Sequence, residues 1–288
     1  MMPIVTSISG QTALLGIFGD PVAHSLSPSM QNAALAAAGF DAVYLPFPVA
    51  AADLPAAVAA LRAFGVLGVN ITIPHKEAVV ALLDHVDPEA SLIGAVNTIV
   101  NRNGVLTGYN TDAPGFLHSL QVDLGFDPTG KQIVLLGAGG ACRAAVVALA
   151  RAGAAEICVA NRSPERAGAL VAELAPGCVA TRLMSSPLHV EPIAETLAGA
   201  DLLVNTTAVG LHGEAFSTDL LAALKSGAPV YDMVYAPKST PLLTTAAQQG
   251  RAVADGRGML VAQGEAAFWH WFGQHPPTGV MRSSIFGT

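Results

Sequence analysis

Residues 133–145, IVLLGAGGACRAA, run an apolar stretch directly into a glycine cluster and then into a helix-forming segment. A short apolar run bounded by glycines reads as a buried strand. Glycines allow a tight turn and a close approach of backbone to a ligand. The helix that follows aims its unpaired N–H groups at that turn. Strand, glycine turn and helix in this order are the context of a dinucleotide fingerprint, in which a pyrophosphate rests on the helix N-terminus. Cys142 stands at the third glycine position of the strict pattern, so the match is imperfect, although Ala144 and Ala145 still permit close helix–strand packing. The next strand, residues 156–160, ends in Asn161, Arg162 and Ser163, with Arg166 following. An NAD-binding unit carries an acid here to accept from the ribose hydroxyls. This chain offers a guanidinium instead, which suits a 2′-phosphate, so the expected cofactor is NADP.

The rest of the chain repeats the alternation of strand and helix. Strands are expected at residues 14–19, 42–49, 68–73, 93–100, 201–207 and 229–233, and helices at 29–39, 54–64, 76–85 and 241–249. Residues 255–263 open a final helix, with Trp269, Trp271 and Phe272 as packing anchors. Such alternation implies βαβ units and mostly parallel sheets. Asn103-Gly104 signals a hairpin. At 288 residues, 52% hydrophobic and 12% charged, the chain has material for two globular domains. The formal net charge of −7 argues against a nucleic-acid surface. There is no apolar run long enough for a transmembrane helix. The opening MMPIVTSISG lacks a signal-peptide pattern. Cys142, Cys158 and Cys178 lack the paired spacing of a zinc site and read as buried thiols in a reducing cytoplasm. The eight histidines show no metal-ligand spacing and read as surface or core residues.

Three polar stretches stand out in the first half. In GVNITIPHK, residues 68–76, Asn70 and Thr72 share one side of a strand, Ile71 and Ile73 take the core side, Pro74 ends the strand and Lys76 follows at its mouth. In GDPVAHSLSP, residues 19–28, Ser25 and Ser27 alternate around Leu26, and their hydroxyls suit a ligand bearing a carboxylate or hydroxyls. Ser27 also reads as a helix cap, with Pro28 at the first helical position. Asn97, Asn110, Thr111 and Asp112 form a second polar cluster, with Asn97 at the centre of its strand.

Taken together, GDPVAHSLSP, GVNITIPHK, GAVNT, GYNTD, LLGAGGACRA, ANRS, DMVYAPKSTPLL and DGRGMLVAQGE resemble the shikimate dehydrogenase family, including its quinate/shikimate dehydrogenase branch. They run from Gly19 to Glu265 in the family's order. The resemblance implies an α/β chain in which an N-terminal substrate domain is joined to a Rossmann-like NADP domain, with the active site in the cleft. The substrate domain would span residues 1–113 and be completed by C-terminal helices 256–288. The NADP domain would span 114–255. Reversible, NADPH-dependent reduction of 3-dehydroshikimate to shikimate is the implied activity, within aromatic amino acid biosynthesis. Carried over by position, Lys76 would be catalytic with Asp112 its partner, and Asp112 would also contact substrate. Ser25, Ser27, Asn70, Thr72, Asn97, Tyr235 and Gln263 would hold the substrate. Gly137, Ala138, Gly139, Gly140, Ala141, Asn161, Arg162, Ser163 and Arg166 would hold the cofactor, with Met233 and Gly256 near the nicotinamide. The implied partners are the small-molecule substrate and NADP, in a cytoplasmic monomer or homodimer with no metal, nucleic acid or membrane.

Gln31, Gly264, Ala113 and Leu211 depart from common family residues (histidine, alanine, glycine and methionine) and put the substrate range in question. The alternative within the family is a quinate/shikimate dehydrogenase using NAD or NADP. A non-catalytic NADP-binding regulatory protein is the alternative of another class. It predicts loss of the reacting residues, yet Lys76 and Asp112 both stand in intact motifs.

Overall fold

A computed structural model describes residues 8–235 and 238–287. The opening heptapeptide, on which the reading of the N-terminus rests in part, lies outside the described residues, as do Ala236 and Pro237 of the DMVYAPKSTPLL motif. The chain divides into two compact units, Met1–Thr111 with Leu260–Thr288, and Asp112–Met259.

The first unit opens with β1 (Ala13–Gly19), α1 (Ser27–Ala38), β2 (Ala42–Pro48), α2 (Leu54–Ala63) and β3 (Gly68–Ile71). It continues with β4 (His85–Val86), α3 (Pro88–Ile93), β5 (Thr98–Arg102) and β6 (Val105–Tyr109). Its sheet runs β2-β1-β3-β5-β6-β4. β1 pairs in parallel with β2 and β3, and β4 with β6, whereas β5 is antiparallel to both neighbours, so the sheet is mixed. The hairpin between β5 and β6 forms at Asn103-Gly104. Both residues adopt positive φ, 54° and 87°, as a tight two-residue hairpin requires. Val58, Leu61, Val69, Ile71 and Ile99 contribute to the core beneath the sheet.

The second unit begins with α4 (Asp112–Leu124), β7 (Gln132–Leu136), α5 (Gly140–Arg151), β8 (Glu156–Asn161) and α6 (Pro164–Leu174). β9 (Arg182–Pro187), α7 (Val190–Gly199), β10 (Leu202–Asn205), α8 (Thr218–Ala223), β11 (Val230–Asp232), α9 (Pro241–Gln248) and β12 (Val253–Asp255) follow. Every pairing is parallel, in the order β12-β11-β10-β7-β8-β9. Read from the other edge, this is the doubly wound order with the first strand at the centre and a switch point between β7 and β10. The central strands β7, β8 and β10 read as near-continuous apolar runs because helices cover both faces of such a sheet. The chain ends with α10 (Arg257–Phe272), which crosses the unit boundary, and α11 (Val280–Phe286).

Several sequence expectations need correction. Residues 76–85 are not one helix. A short 3-10 segment, Ala78–Leu82, gives way to β4. Val79 and Val80 are β-branched and weaken a helix, while the Asp84 carboxylate accepts from the Leu106 N–H and the backbone N–H of Asp84 donates to the Leu106 carbonyl, committing that end to the sheet edge. β3 ends at Ile71, before Pro74, so the alternation stops early; Ile73 is 61% exposed and His75 takes the buried position. Asn97 precedes β5 instead of occupying its centre. Ser27 is the first residue of α1 and makes no cap. The Ser25 hydroxyl accepts from the Ser27 N–H at 3.2 Å instead. Trp271 is buried and donates to the Ile99 carbonyl, and Phe272 stacks on Phe40, but Trp269 is 46% exposed. Phe268 and Trp271 share the inward stripe of α10, and Trp269 falls one helical step off it.

Gly68 illustrates how closely α10 packs on this sheet. A Cβ there would run into the Trp271 indole nitrogen and the Ile99 carbonyl, which are hydrogen-bonded to each other. Gly68→Ala is expected to destabilise the protein by about 1–3 kcal/mol, the usual cost of overpacking, read as a lower urea midpoint with unchanged slope.

Candidate functional site

In the first unit, one end of the sheet gathers the polar residues. β1 and β3 are parallel, so the serine loop after β1 and the Lys76 turn after β3 leave the same edge. Antiparallel β5 starts there, with Thr98 opposite Asn70, and β6 finishes there, with Tyr109 opposite Thr98. Asn70, buried to 4% exposure, accepts from the Tyr44 hydroxyl at 2.7 Å and donates to the Asn97 carbonyl and the Thr98 hydroxyl. The Asn97 side chain accepts from the Thr111 N–H at 2.8 Å and donates to the Thr111 hydroxyl at 2.9 Å and to Gln263 Oε1 at 3.4 Å. Gln263 in turn donates to the Leu260 carbonyl. Asn110 donates to the Ala95 carbonyl. These buried amides therefore hold one another in place, as a satisfied polar network must.

Lys76 is half-buried, and its carbonyl accepts from the Val96 N–H at 2.8 Å. The preceding His75 is 1% exposed, and its Nε2 lies 2.7 Å from the Val49 carbonyl. A carbonyl only accepts, so that nitrogen carries the proton. Its backbone N–H donates to the Thr72 carbonyl. The root of Lys76 is thus clamped from both sides. Ser25 and Ser27 lie in the turn and first residue leading into α1, and Thr72 directly follows β3. Tyr44, His75 and Thr98 were not singled out from the sequence. The PHK tripeptide is the one local hint of His75, whereas Tyr44 sits inside an ordinary apolar strand.

In the second unit, Gly137 directly follows β7 with φ of +109°, and a Cβ there would sit 2.7 Å from the Thr207 methyl. Gly139 is the N-cap of α5, which has no side-chain cap, and a Cβ on Gly139 would meet nothing within 4 Å. Ala138 lies between Gly137 and Gly139, and Gly140 and Ala141 open α5. An uncapped helix N-terminus facing open space beside a glycine turn fits a pyrophosphate. Cys142, fully buried, takes the place of the third glycine as a small core residue; burial pushes its thiol up to about 12 and Cys158 up to about 11, so neither is a nucleophile.

A cavity of about 700 Å³ opens at the strand ends, lined by Asn161, Arg162, His189, Thr207, Val209 and Leu211 among others. Arg162, Ser163 and Arg166 are exposed, and the Asn161 amide donates to the Ser163 carbonyl. At the end of β11, Asp232 is fully buried and accepts from Asn205, Thr240 and the Val234 N–H, while burial holds its carboxyl above the usual range. Met233 follows, its N–H donating to the Asn205 carbonyl. Gly256 packs on the Met233 backbone so tightly that a Cβ would collide with the carbonyl. Tyr235 is half-buried, and burial, aided by the Asp112 carboxylate, raises its phenol. Asp112 itself, 4% exposed, opens α4. The Asp232 network went unnoticed in the sequence because its partners are spread over three separate segments.

Comparison with known proteins finds matches in segments of both units. Residues 17–99 match the family model of the shikimate dehydrogenase substrate binding domain. Residues 121–212 match shikimate/quinate 5-dehydrogenase, and residues 256–286 the shikimate 5′-dehydrogenase C-terminal domain. The shikimate dehydrogenase (NADP(+)) of Geobacter metallireducens is 52% identical over 96% of this chain and 97% of its own length. The chain belongs to the shikimate dehydrogenase family. Within that family, the crystal structure of shikimate 5-dehydrogenase from Thermus thermophilus, in complex with NADP(H) and shikimate, superposes with a TM-score of 0.83 at 39% identity, covering 95% of this chain and 98% of that one. Quinate dehydrogenase from Corynebacterium glutamicum, in complex with NAD, superposes with a TM-score of 0.86 at 31% identity, covering 96% and 99%.

Proposed function

We propose that this protein is an NADP-dependent shikimate dehydrogenase that reversibly reduces 3-dehydroshikimate to shikimate, in the pathway to aromatic amino acids. The observation that carries the reading is the near-full-length relationship, at about half identity, to an NADP-dependent shikimate dehydrogenase. The clamped Lys76 and the buried amide network lend it chemical sense.

The substrate domain is residues 1–113 completed by 256–288, and the NADP domain is residues 114–255. NADPH, when bound, supplies the hydride. Gly137, Ala138, Gly139, Gly140 and Ala141 would hold its pyrophosphate at the start of α5. Asn161, Arg162, Ser163 and Arg166 would hold the adenosine end, Arg162 supplying the charge that suits a 2′-phosphate. Met233 and Gly256 would flank the nicotinamide, and the absence of a Cβ on Gly256 keeps the Met233 backbone close. Ser25, Ser27, Asn70, Thr72, Asn97, Tyr235 and Gln263 bind the substrate carboxylate and hydroxyls. Reduction of a ketone puts negative charge on its oxygen, and the Lys76 ammonium stabilises and then protonates that oxygen. Asp112 acts with Lys76 and accepts from a substrate hydroxyl. Among the described residues no helix is long and apolar enough to cross a membrane. The protein works in the cytoplasm as a monomer or homodimer.

The test is a kinetic matrix of shikimate and quinate, each with NADP and NAD. The expected result is a kcat/KM for shikimate with NADP well above the other three combinations. Comparable quinate turnover would assign the chain to the quinate/shikimate branch, the direction in which the likeness to the NAD-bound quinate dehydrogenase points.

A further inference from the structure

Gln31 lies in α1 with 1% of its surface exposed. Its Nε2 donates to the Gly264 carbonyl of α10 at 3.0 Å. Its other polar atom, Oε1, is buried and has no hydrogen-bond partner among the described residues. An orphaned acceptor lowers stability, so a plain core position would be better filled by an apolar side chain of the same length. Gly264 is equally out of place by local rules, since glycine in a helix interior is less stable than almost any other residue. A Cβ on Gly264 would run into the end of the buried Met30 side chain and lie 3.4 Å from Gln31 Nε2. The glycine therefore lets the α10 backbone touch Met30 and Gln31 with nothing between.

Two locally unfavourable residues thus make one contact, and that contact is adjacent to Gln263. The side chain of Gln263 is 8% exposed and spans from the Leu260 carbonyl to the Asn97 amide. We propose that Gln31 is a positioning residue for substrate specificity: by holding the Gly264 carbonyl it fixes the turn of α10 that carries Gln263, and so sets the geometry of the Asn97–Gln263 pair. The inference rests on the reading of Asn97 and Gln263 as substrate-binding residues. A hydrogen bond to a carbonyl on the same turn restrains both the rotation and the advance of α10 over α1, which packing on a glycine alone would leave loose.

Gln31→Met keeps the length of the side chain and removes both the donor and the orphaned acceptor. The variant is expected to melt at or above the parent's Tm. Its KM for shikimate should rise about 3- to 10-fold, with kcat and the KM for NADP changed less than about twofold, within the range of coupling between contacting residues. In a Gln263→Ala background the same substitution should add no further rise. Gln31→Leu carries the same expectation should the methionine variant fold poorly. An unchanged shikimate KM in a folded variant, or an equal rise in both backgrounds, would overturn the inference while leaving the substrate site intact. If Gln263→Ala alone leaves the shikimate KM at the parent value, the assignment of the site falls, and the inference with it.

Discussion

Lys76→Ala is expected to lower kcat for 3-dehydroshikimate reduction by about 10²- to 10⁴-fold, the usual span for loss of a positioned proton donor. The effect belongs to the chemical step, because the charge on the ketone oxygen appears only as hydride arrives and an ammonium there favours the transition state over the ground state. Position matters as much as charge. The lysine follows a turn whose backbone is tied at Thr72, by the His75 N–H, and at Val96, whose N–H donates to the Lys76 carbonyl. The His75 ring, bonded to the Val49 carbonyl, fastens the same turn to the core. Fixing the backbone at this point sets where the side chain starts and so helps place its ammonium against the substrate. Steady-state rates combined with calorimetric binding of shikimate separate the two contributions. Retained binding with collapsed kcat supports the role, and full turnover with substrate bound would remove Lys76 from the mechanism.

The second large effect is on cofactor choice. Arg162→Ala should reduce the preference for NADP over NAD by about 10- to 100-fold, the scale of one or two charge-assisted hydrogen bonds. The loss should appear in the KM for NADP, with the NAD constants nearly unmoved, because NAD has no 2′-phosphate to miss the guanidinium. Arg162 stands at the end of β8, beside the central strand of the sheet, and lines the cavity at the strand ends. It is exposed in the described structure, so the alanine variant should keep the parent's Tm. An unchanged NADP/NAD ratio would take Arg162 out of the cofactor site.

Much of the architecture could be read before any coordinates. Strands β1, β2, β3, β7, β8, β10 and β11, the glycine turn after β7, the hairpin at Asn103-Gly104 and the grouping of Asn97 with Thr111 follow from local rules or spacing. The readings that failed share a cause. Residues 76–85 have the composition of a helix, but their last residues are claimed by β6. Ile73 continues an alternation in sequence that the chain has already left in space. Ser27 has the residue type of a cap, yet Ser25 supplies the hydroxyl that accepts a backbone N–H at that corner. Trp269 is large and apolar, but the stripe of α10 that faces the sheet passes through Phe268 and Trp271.

The amino-acid sequence by itself determined the fold class and the residue types available for chemistry. Those depend on φ/ψ preference, turn-forming glycines and hydrophobic period, all of which act across a few neighbouring residues. The tertiary structure alone decided which polar groups meet. Tyr44 reaches Asn70 across 26 positions, Trp271 reaches Ile99 across 172 and Gln31 reaches Gly264 across 233. Such pairs form because a buried donor or acceptor without a partner is costly, and the partner on offer is whichever group the packed elements bring within reach. No local preference encodes that choice.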